Sequence, residues 1–313
     1  MNPAALERAT AFAPASVGNV AIGFDILGFA VEALGDRVTV TRRAEPGVTI
    51  SAVRGIAGEL PQEPRDNTAG RALLAMQQAR RLGFGFTLEI DKGIPLGSGL
   101  GGSAASAVAA VVAANALLPQ ACSLLELLGF AMAGEAVASG ARHVDNIAPS
   151  LYGGLVLTVG IDHPRVKQIP VPAAIRAVIV HPHMFLSTSQ ARAILRGSVQ
   201  MSDFVWQTAN LAGFISGCYT DDLDMIRASL EDVVIEPQRQ ALIPGFQDVR
   251  RGAMEAGALG CSISGAGPSM FAWAREAAAP AVLGAMRGAF GRHALATDAW
   301  VVEVRSAGAR LIG

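Results

Sequence analysis

Charge is scarce in this chain: only 16% of its 313 residues are Asp, Glu, Lys or Arg, against roughly 25% in an average globular domain. The charges nearly cancel, 25 basic against 26 acidic residues, with no block of one sign. A nucleic-acid binder carries a basic face or stripe, and none is legible here. If phosphate is handled, local main-chain groups must do it more than a basic surface. Cysteine is rarer still. Cys122, Cys218 and Cys261 are far apart, odd in number and form no CxxC pair, which argues against a disulfide or zinc framework and suits a reducing compartment. No secretory leader is apparent in the opening MNPAALERATAFAP, which carries Glu7 and lacks a continuous apolar run. The longest apolar stretch, 104–118, is interrupted by Ser106 and Asn115 and is shorter than the ~20 residues of a bilayer span. The expectation is a cytoplasmic protein without membrane or nucleic-acid partners. No internal repeat, low-complexity tract or Walker A string (GxxxxGK[ST]) occurs.

What is abundant is apolar surface, 51% of residues, in a chain long enough for two domains. Alternating, β-branched runs at 36–43, 47–53 and 84–91 predict strands. Between them 68–82 predicts a helix that Asn67 or Thr68 can cap. An alanine-rich helix is expected over 103–118, and a second opens at Ser123-Leu-Leu-Glu126, a capping-box pattern, and runs to about Ser139. Strands are expected at 151–159 and 175–181. The three prolines of 160–172 suggest the boundary between halves, giving domains of 1–165 and 166–313. Helices near 188–196, 202–218, 222–230 and 246–256 are followed by strands at 259–264 and 269–274 around a SGAGPS turn. A last helix and a strand at 298–304 close the chain. Without regular βαβ alternation the fold class is α+β.

The sharpest local feature is Pro95-Leu96-Gly97-Ser98-Gly99-Leu100-Gly101-Gly102-Ser103-Ala104-Ala105. Four glycines in six residues permit positive φ and close approach to a ligand. The loop runs into a helix start, where unpaired N–H groups and the positive end of the dipole collect. That combination suits the phosphates of a nucleotide. Ala104 and Ala105 keep side chains out of the way, and the Ser103 hydroxyl is placed to ligate a metal or a phosphate oxygen. A tight turn without a ligand is the plain alternative. A dinucleotide fingerprint is another, since Gly97, Gly99 and Gly102 fit GxGxxG, although no regular βαβ unit surrounds them.

The loop resembles the PxxxGLxSSAA segment of the GHMP kinases. Two further blocks point to the homoserine kinase branch of that family. Pro14-Ala-Ser16-Val-Gly-Asn19 through Gly23-Phe24-Asp25-Ile-Leu-Gly28 resembles its APASxANxGxGFDxLG opening, and His143-Val-Asp145-Asn146-Ile-Ala-Pro149-Ser150 its HPDNxAPS block. Ser187-Thr188, Arg192, Glu236-Pro237-Gln238-Arg239 and the Gly260–Ser269 segment continue the match in order, so the resemblance spans nearly the whole chain. Gly102 replaces the first serine of the usual pair and Val144 replaces a proline; neither change removes a charge the chemistry needs.

The resemblance implies a two-half fold with the site between the halves, using ATP and Mg2+ to phosphorylate the hydroxyl of a small amino-acid alcohol, L-homoserine. Another alcohol substrate, a nicotinamide-dependent oxidoreductase and an inactive metabolite sensor are the rival readings. Magnesium prefers oxygen ligands, and Ser103 with Glu135, enclosed in GFAMAGEAVASG, fits that role. Asp25, in an otherwise apolar GFDILGFA run, is assigned to the substrate ammonium with Asn19 beside it. Arg192 and Arg239 are assigned to the carboxylate, because a guanidinium can grip it through two hydrogen bonds. Asp145 and Asn146 fall nearest the reacting hydroxyl; a base and a structural role both stay open for Asp145. His143 is a substrate-side hydrogen bonder, Thr188 belongs to the same pocket, and the turn around Gly265 closes it. Adenine recognition is assigned only to Asn67. His163, His181, His183 and His293 show no metal-ligand spacing. The sequence leaves a homodimer open.

Overall fold

The computed structural model describes residues 6–56, 60–139, 144–160 and 162–312, the side chains of 137–139 excepted. Two sheets organise it. The first contains β1 (Arg8–Gly18), β2 (Leu27–Arg43), β3 (Gly47–Gly55), β4 (Gly85–Lys92), β5 (Leu155–Val159), β6 (Arg165–Ile169) and, from the end of the chain, β11 (Arg310–Leu311). Its main path runs β11-β1-β2-β4-β3, and β5 and β6 extend from the near end of β2. The second sheet runs β10-β7-β9-β8, from β7 (Ile175–Pro182), β8 (Ala258–Ile263), β9 (Met270–Arg275) and β10 (Thr297–Glu303). All pairs are antiparallel except β3 with β4.

Helices α1 (Thr68–Arg80), α2 (Gly102–Asn115), α3 (Leu124–Ser139) and α4 (Val144–Tyr152) belong to the first part. α5 (Thr188–Ala193), α6 (Met201–Thr220), α7 (Leu223–Ser229), α8 (Glu236–Arg239), α9 (Phe246–Glu255) and α10 (Ala279–Arg292) belong to the second. The mixed architecture agrees with the α+β expectation. α2 is nearly all Ala, Val, Gly and Ser, and ten of its residues are buried. Small side chains let the sheet, α1, α3 and α4 approach it from several sides, so it becomes the axis of the first part instead of a surface helix. α3 begins as the sequence suggests: Ser123 N donates to Glu126 Oε2 (2.8 Å) and Glu126 N to Ser123 Oγ (3.3 Å).

The second sheet is apolar on both faces. Along β9, Met270, Ala272 and Ala274 pack toward α9 and α10, while Phe271 and Trp273 join the core of the first part. This is the two-residue period of a strand covered on both sides. Phe29 of β2 stacks edge-on against Phe271 (5.7 Å) and Trp273 (6.0 Å), and Phe214 of α6 lies 5.1 Å from Trp273. This aromatic cluster locks the two sheets to each other.

Three segments differ from expectation. The three-proline stretch 160–172 contains β6, which pairs with β5 over Val159–Leu155, so the first sheet continues to Ile169. The expected strand at 151–159 is shorter because 144–152 is helical, with Pro149 accommodated inside α4. β1 was not anticipated. Its apolar residues are mostly alanines, and Pro14 sits at a register shift opposite Gly35, where a missing N–H is tolerated.

A buried acidic corner fixes α8. The Asp232 carboxylate accepts from the N–H groups of Val234, Ile235 and Glu236 (2.8–3.0 Å). Glu236 accepts from the Ser262 hydroxyl and has Arg250 Nε at 3.5 Å. Burial outweighs both partners and raises the Glu236 carboxyl from 4.5 to about 7. The unfolded chain therefore loses this proton near pH 4.5 while the folded chain keeps it until about 7, so stability falls as pH rises through that window. The loss approaches about 3 kcal/mol above it. Glu236→Gln, which keeps an acceptor for Ser262, should unfold at a higher temperature than the parent at pH 8.5 and at the same temperature at pH 4. Calorimetric scans at the two pH values decide this; equal transitions at pH 8.5 would mean that Glu236 is ionised without penalty.

Candidate active site

A cleft opens where the glycine loop, α4 and the second half meet. It is lined by Asn19, Asp25, residues 95–103, Glu135, Asp145, Asn146, Thr188, Arg192, Arg239, Gly265 and Ala266. The structure thus gathers into one cavity residues from Asn19 to Ala266, 247 positions apart in sequence. Of the expected site residues, Asn67, Ala104 and Ala105 do not line it. Ala104 and Ala105 are fully buried in the first turn of α2. Asn67 caps α1: its side-chain oxygen accepts from Ala69 N and Gly70 N (3.0 and 3.2 Å) and its amide donates to Pro61 O (2.9 Å). The amide's second N–H has no partner among these bonds, so capping α1 and meeting an adenine are compatible roles for Asn67. His143 lies outside the described residues.

The loop is held from three directions. From beneath, Lys92 donates to the Gly102 carbonyl (2.7 Å), to Ser106 Oγ (2.9 Å) and to Asp36. Lys92 and Asp36 are both buried, and Asp36 also accepts from Gly93 N (3.0 Å). A buried ion pair with its remaining hydrogen bonds satisfied is the arrangement that survives desolvation. It anchors the first turn of α2 to β2 and β4. From the side, Ser16 N donates to Leu100 O (3.1 Å). From the second half, Leu186 N donates to Gly97 O (3.1 Å), Ser269 N to Ser98 O (3.1 Å) and Ser264 Oγ to Gly99 O (2.7 Å). Gly97, Gly99 and Gly101 all have positive φ (61°, 75° and 69°), so the loop needs glycine there. A Cβ on Gly99 would stand 2.5 Å from Ser264 O, and one on Gly101 2.3 Å from Ser16 Oγ.

At the mouth of the loop Ser103 Oγ donates to Glu135 Oε1 (2.9 Å), joining α2 to α3. Opposite them stands the start of α4. It rests on a floor made by cross-strand partners Gly18 and Gly28. A Cβ on Gly18 would lie 2.3 Å from Asp145 Oδ2, and one on Gly28 1.8 Å from the Asp145 carbonyl. Only side-chain-free strands let Asp145 and Asn146 come so close to the loop. Ser16 Oγ then donates to Asn146 Oδ1 (3.0 Å), so Asn146 has its amide N–H groups to present. Ser16, Gly18 and Gly28 act behind the site; all three fall inside the segment matched to the family opening, which was the available signal.

The charged end of the cleft follows an unusual turn. Asn19, Val20 and Ala21 are left-handed at φ 69°, 46° and 58°, and Asp25 follows at 63°. A β-branched residue in this region is strained. The turn aims Asn19 Nδ2 at Gly265 O (2.8 Å) and lets Asn19 Oδ1 accept from Asp25 N (3.0 Å). Asp25 in turn accepts two 2.7 Å hydrogen bonds from Arg192 Nη2. Arg239 is buried, donating from Nε to Ala191 O (3.0 Å) and from Nη1 to Gly265 O (3.1 Å). Burial, then the neighbouring Arg192 charge, pulls its pKa down, and Asp25, Asp145 and Asp232 pull it back. A guanidinium remains charged under that pressure. One end of the cleft therefore combines two cations and a carboxylate, and the other a glycine cradle and a serine–glutamate pair.

Among the described residues no group of three or more His, Cys, Asp or Glu side chains could hold a metal by themselves. The oxygens of Ser103 and Glu135 suit an ion that takes few protein ligands, such as magnesium. No helix of the described residues is long and apolar enough to cross a membrane.

Comparison with known proteins agrees with this architecture. Residues 67–154 match the GHMP kinases N terminal domain and residues 214–292 the GHMP kinases C terminal domain. The homoserine kinase of Xylella fastidiosa is 52% identical, the match covering 98% of this chain and 95% of that one. The homoserine kinase of Chlorobaculum tepidum is 43% identical over 98% and 99% of the two chains. The crystal structure of homoserine kinase from Cytophaga hutchinsonii superposes with a TM-score of 0.94 at 42% identity, covering 98% of each chain. Mevalonate kinase of L. major shares the fold, with a TM-score of 0.70 at 16% identity and coverage of 98% and 100%. Cradle, cleft and full-length similarity lead to one conclusion: the chain belongs to the GHMP kinase family, among its homoserine kinases.

Proposed function

We propose that the chain transfers the terminal phosphoryl group of ATP to the side-chain hydroxyl of L-homoserine, giving O-phospho-L-homoserine and ADP. The observation that carries this reading is the placement of Arg192, Arg239 and Asp25 at one end of the cleft whose other end is the glycine cradle. Homoserine is a zwitterion with a hydroxyl two carbons from its α-carbon. Such a molecule needs cations, an anion and a phosphate donor within one short span, which is how this cleft is arranged. A neutral alcohol has no use for two converging guanidiniums.

The nucleotide phosphates lie against residues 97–103, where backbone N–H groups and the start of α2 favour negative charge. Ser103 and Glu135 would hold magnesium, which supplies charge neutralisation at the phosphates when bound. The Ser103–Glu135 hydrogen bond supports this assignment by bringing both oxygens to the rim of the cradle. The substrate ammonium faces Asp25, and its carboxylate faces Arg239 and Arg192. Asp25 and Arg192 satisfy one another across 2.7 Å, so each is already ordered before a zwitterion divides their attention. Thr188 and Gly265 close this end. Asn146 directs its amide toward the substrate hydroxyl, and Asp145 adds negative potential beside it. Catalysis rests mainly on alignment and charge stabilisation. The division into a nucleotide-binding half, 1–165, and a second half, 166–313, is part of the same proposal, with β6 and β11 returning the second half's ends to the first sheet and the reacting groups meeting at the junction.

Three outcomes test it. Glu135→Gln should fold normally and lower kcat by about 100-fold or more, as loss of charge stabilisation at a phosphoryl group does; near-normal turnover with unaltered magnesium dependence would remove Glu135 from the metal site. Gly99→Val should lose detectable ATP binding in calorimetry. The positive φ and the contact with Ser264 O both forbid a branched side chain. Unchanged affinity in the folded variant would take the phosphates away from the loop. Arg239→Ala should reduce kcat/KM for L-homoserine roughly 10- to 150-fold, the value of a lost charge-assisted contact. The reduction for 3-aminopropan-1-ol, which lacks the carboxylate, should be far smaller. Equal losses on the two substrates would make Arg239 structural.

A further inference from the structure

Both arginines converge on the same aromatic ring. The guanidinium carbon of Arg192 is 5.1 Å from the centroid of Phe24, and that of Arg239 is 5.2 Å away. Two like charges do not gather unaided: their mutual repulsion contributes to the depressed pKa of Arg239. Asp25 offsets it through its ion pair with Arg192. Asp25, Asp145 and Asp232 also act on Arg239 without a direct bond, and its hydrogen-bond partners are neutral carbonyls. The ring face is the additional negative potential within reach of both, since an aromatic quadrupole attracts a cation within about 6 Å.

The position of the ring is fixed by the backbone. Phe24 follows the left-handed turn at 19–21 and precedes Asp25, whose N–H is held by Asn19. Its outer side helps line an apolar groove with Ile22, Ile26, Leu195, Phe204 and Leu211. Phe24 is therefore part of the wall between that groove and the charged end of the cleft.

We propose that Phe24 is the positioning residue for substrate recognition, holding Arg192 and Arg239 toward one point so that both meet the α-carboxylate. This rests on the assignment of those arginines to the carboxylate. The chemistry favours an aromatic group over the alternatives. A second carboxylate at this place would neutralise the arginines and compete with the substrate. An aliphatic chain would pack but exert no pull. A ring attracts the cations without consuming their N–H donors, which stay available for the ligand.

The test varies the quadrupole at nearly constant shape. Phenylalanine, 4-fluoro-, 3,5-difluoro- and pentafluorophenylalanine are placed at position 24 by nonsense suppression, and kinetics are measured with L-homoserine and with 3-aminopropan-1-ol. For homoserine, KM should rise stepwise with fluorination by roughly 10-fold in total, the scale of weakened cation–π contacts. Its kcat should change by less than about two-fold, because alignment at the hydroxyl is untouched. The carboxylate-free substrate should show no trend. Phe24→Leu should reproduce the pentafluoro result, and Phe24→Tyr should restore homoserine affinity. A flat series for homoserine overturns the proposal, as do parallel losses on both substrates. Arg239→Ala is run beside them: if it fails to discriminate the substrates, the carboxylate assignment itself falls. If it discriminates while fluorination has no effect, only the role of Phe24 falls. The fluorinated series keeps the question answerable even where Phe24→Leu does not fold.

Discussion

Main-chain hydrogen bonds crossing between the glycine loop and the 264–269 turn are the constraint on which the rest of the site depends. Ser98 O and Gly99 O accept from Ser269 N and Ser264 Oγ, and Gly265 N reaches back to Gly18 O (3.1 Å). The loop is thus a structural joint as well as a cradle. Gly99 illustrates the double demand: its φ of 75° shapes the loop, and its missing Cβ lets the second half approach. The aromatic cluster of Phe29, Phe271, Trp273 and Phe214 supports the joint from the core side. The Lys92–Asp36 pair supports it from below, where a salt bridge can rigidify a helix start without exposing charge to the cleft.

The two ends of the cleft are built by different means. At the glycine-loop end, position is given by backbone: glycines, a helix start and carbonyls held by neighbouring N–H groups. At the charged end it is given by side chains that restrain one another, Asn19 with Gly265, Asp25 with Arg192, Arg239 with Ala191 and Gly265. The division suits the ligands proposed for each end. Phosphates present many equivalent oxygens that main-chain N–H groups can satisfy, whereas an amino acid carries two opposite charges that only ionised side chains can sort.

Much of this was legible in the sequence because the decisive segments are local. The glycine loop, the capping box at Ser123, the alanine helix and the alternating strands each announce themselves within a dozen residues. The motif blocks also named most of the cleft lining. What stayed hidden depended on distant partners. The Asn67 cap was legible as a choice between Asn67 and Thr68, but its bond to Pro61 O was not. Lys92, Asp36 and Ser106 are separated by up to 70 positions, and no local pattern shows that they meet. β6 was concealed by prolines flanking a short polar strand, since edge strands tolerate both. α4 was masked by Pro149, which stands in its second turn, where a proline removes a helix hydrogen bond and so argues against a helix.

The left-handed turn at Asn19–Ala21 has a consequence for how the molecule opens. Three successive residues in that region carry roughly 1–2 kcal/mol each of unfavourable backbone energy. They are kept there by contacts that reach into the second half, Asn19 to Gly265 above all. Loss of that contact would remove a restraint that offsets this energy, which couples the turn to the position of Gly265. In hydrogen-exchange terms, the amides of Ile22 and Gly23, which donate to Val20 O and Asn19 O within the turn, report separation of the halves rather than unfolding of the first sheet. The charged end of the cleft is consequently a property of the assembled chain, since Asn19 needs Gly265 to complete its hydrogen bonds.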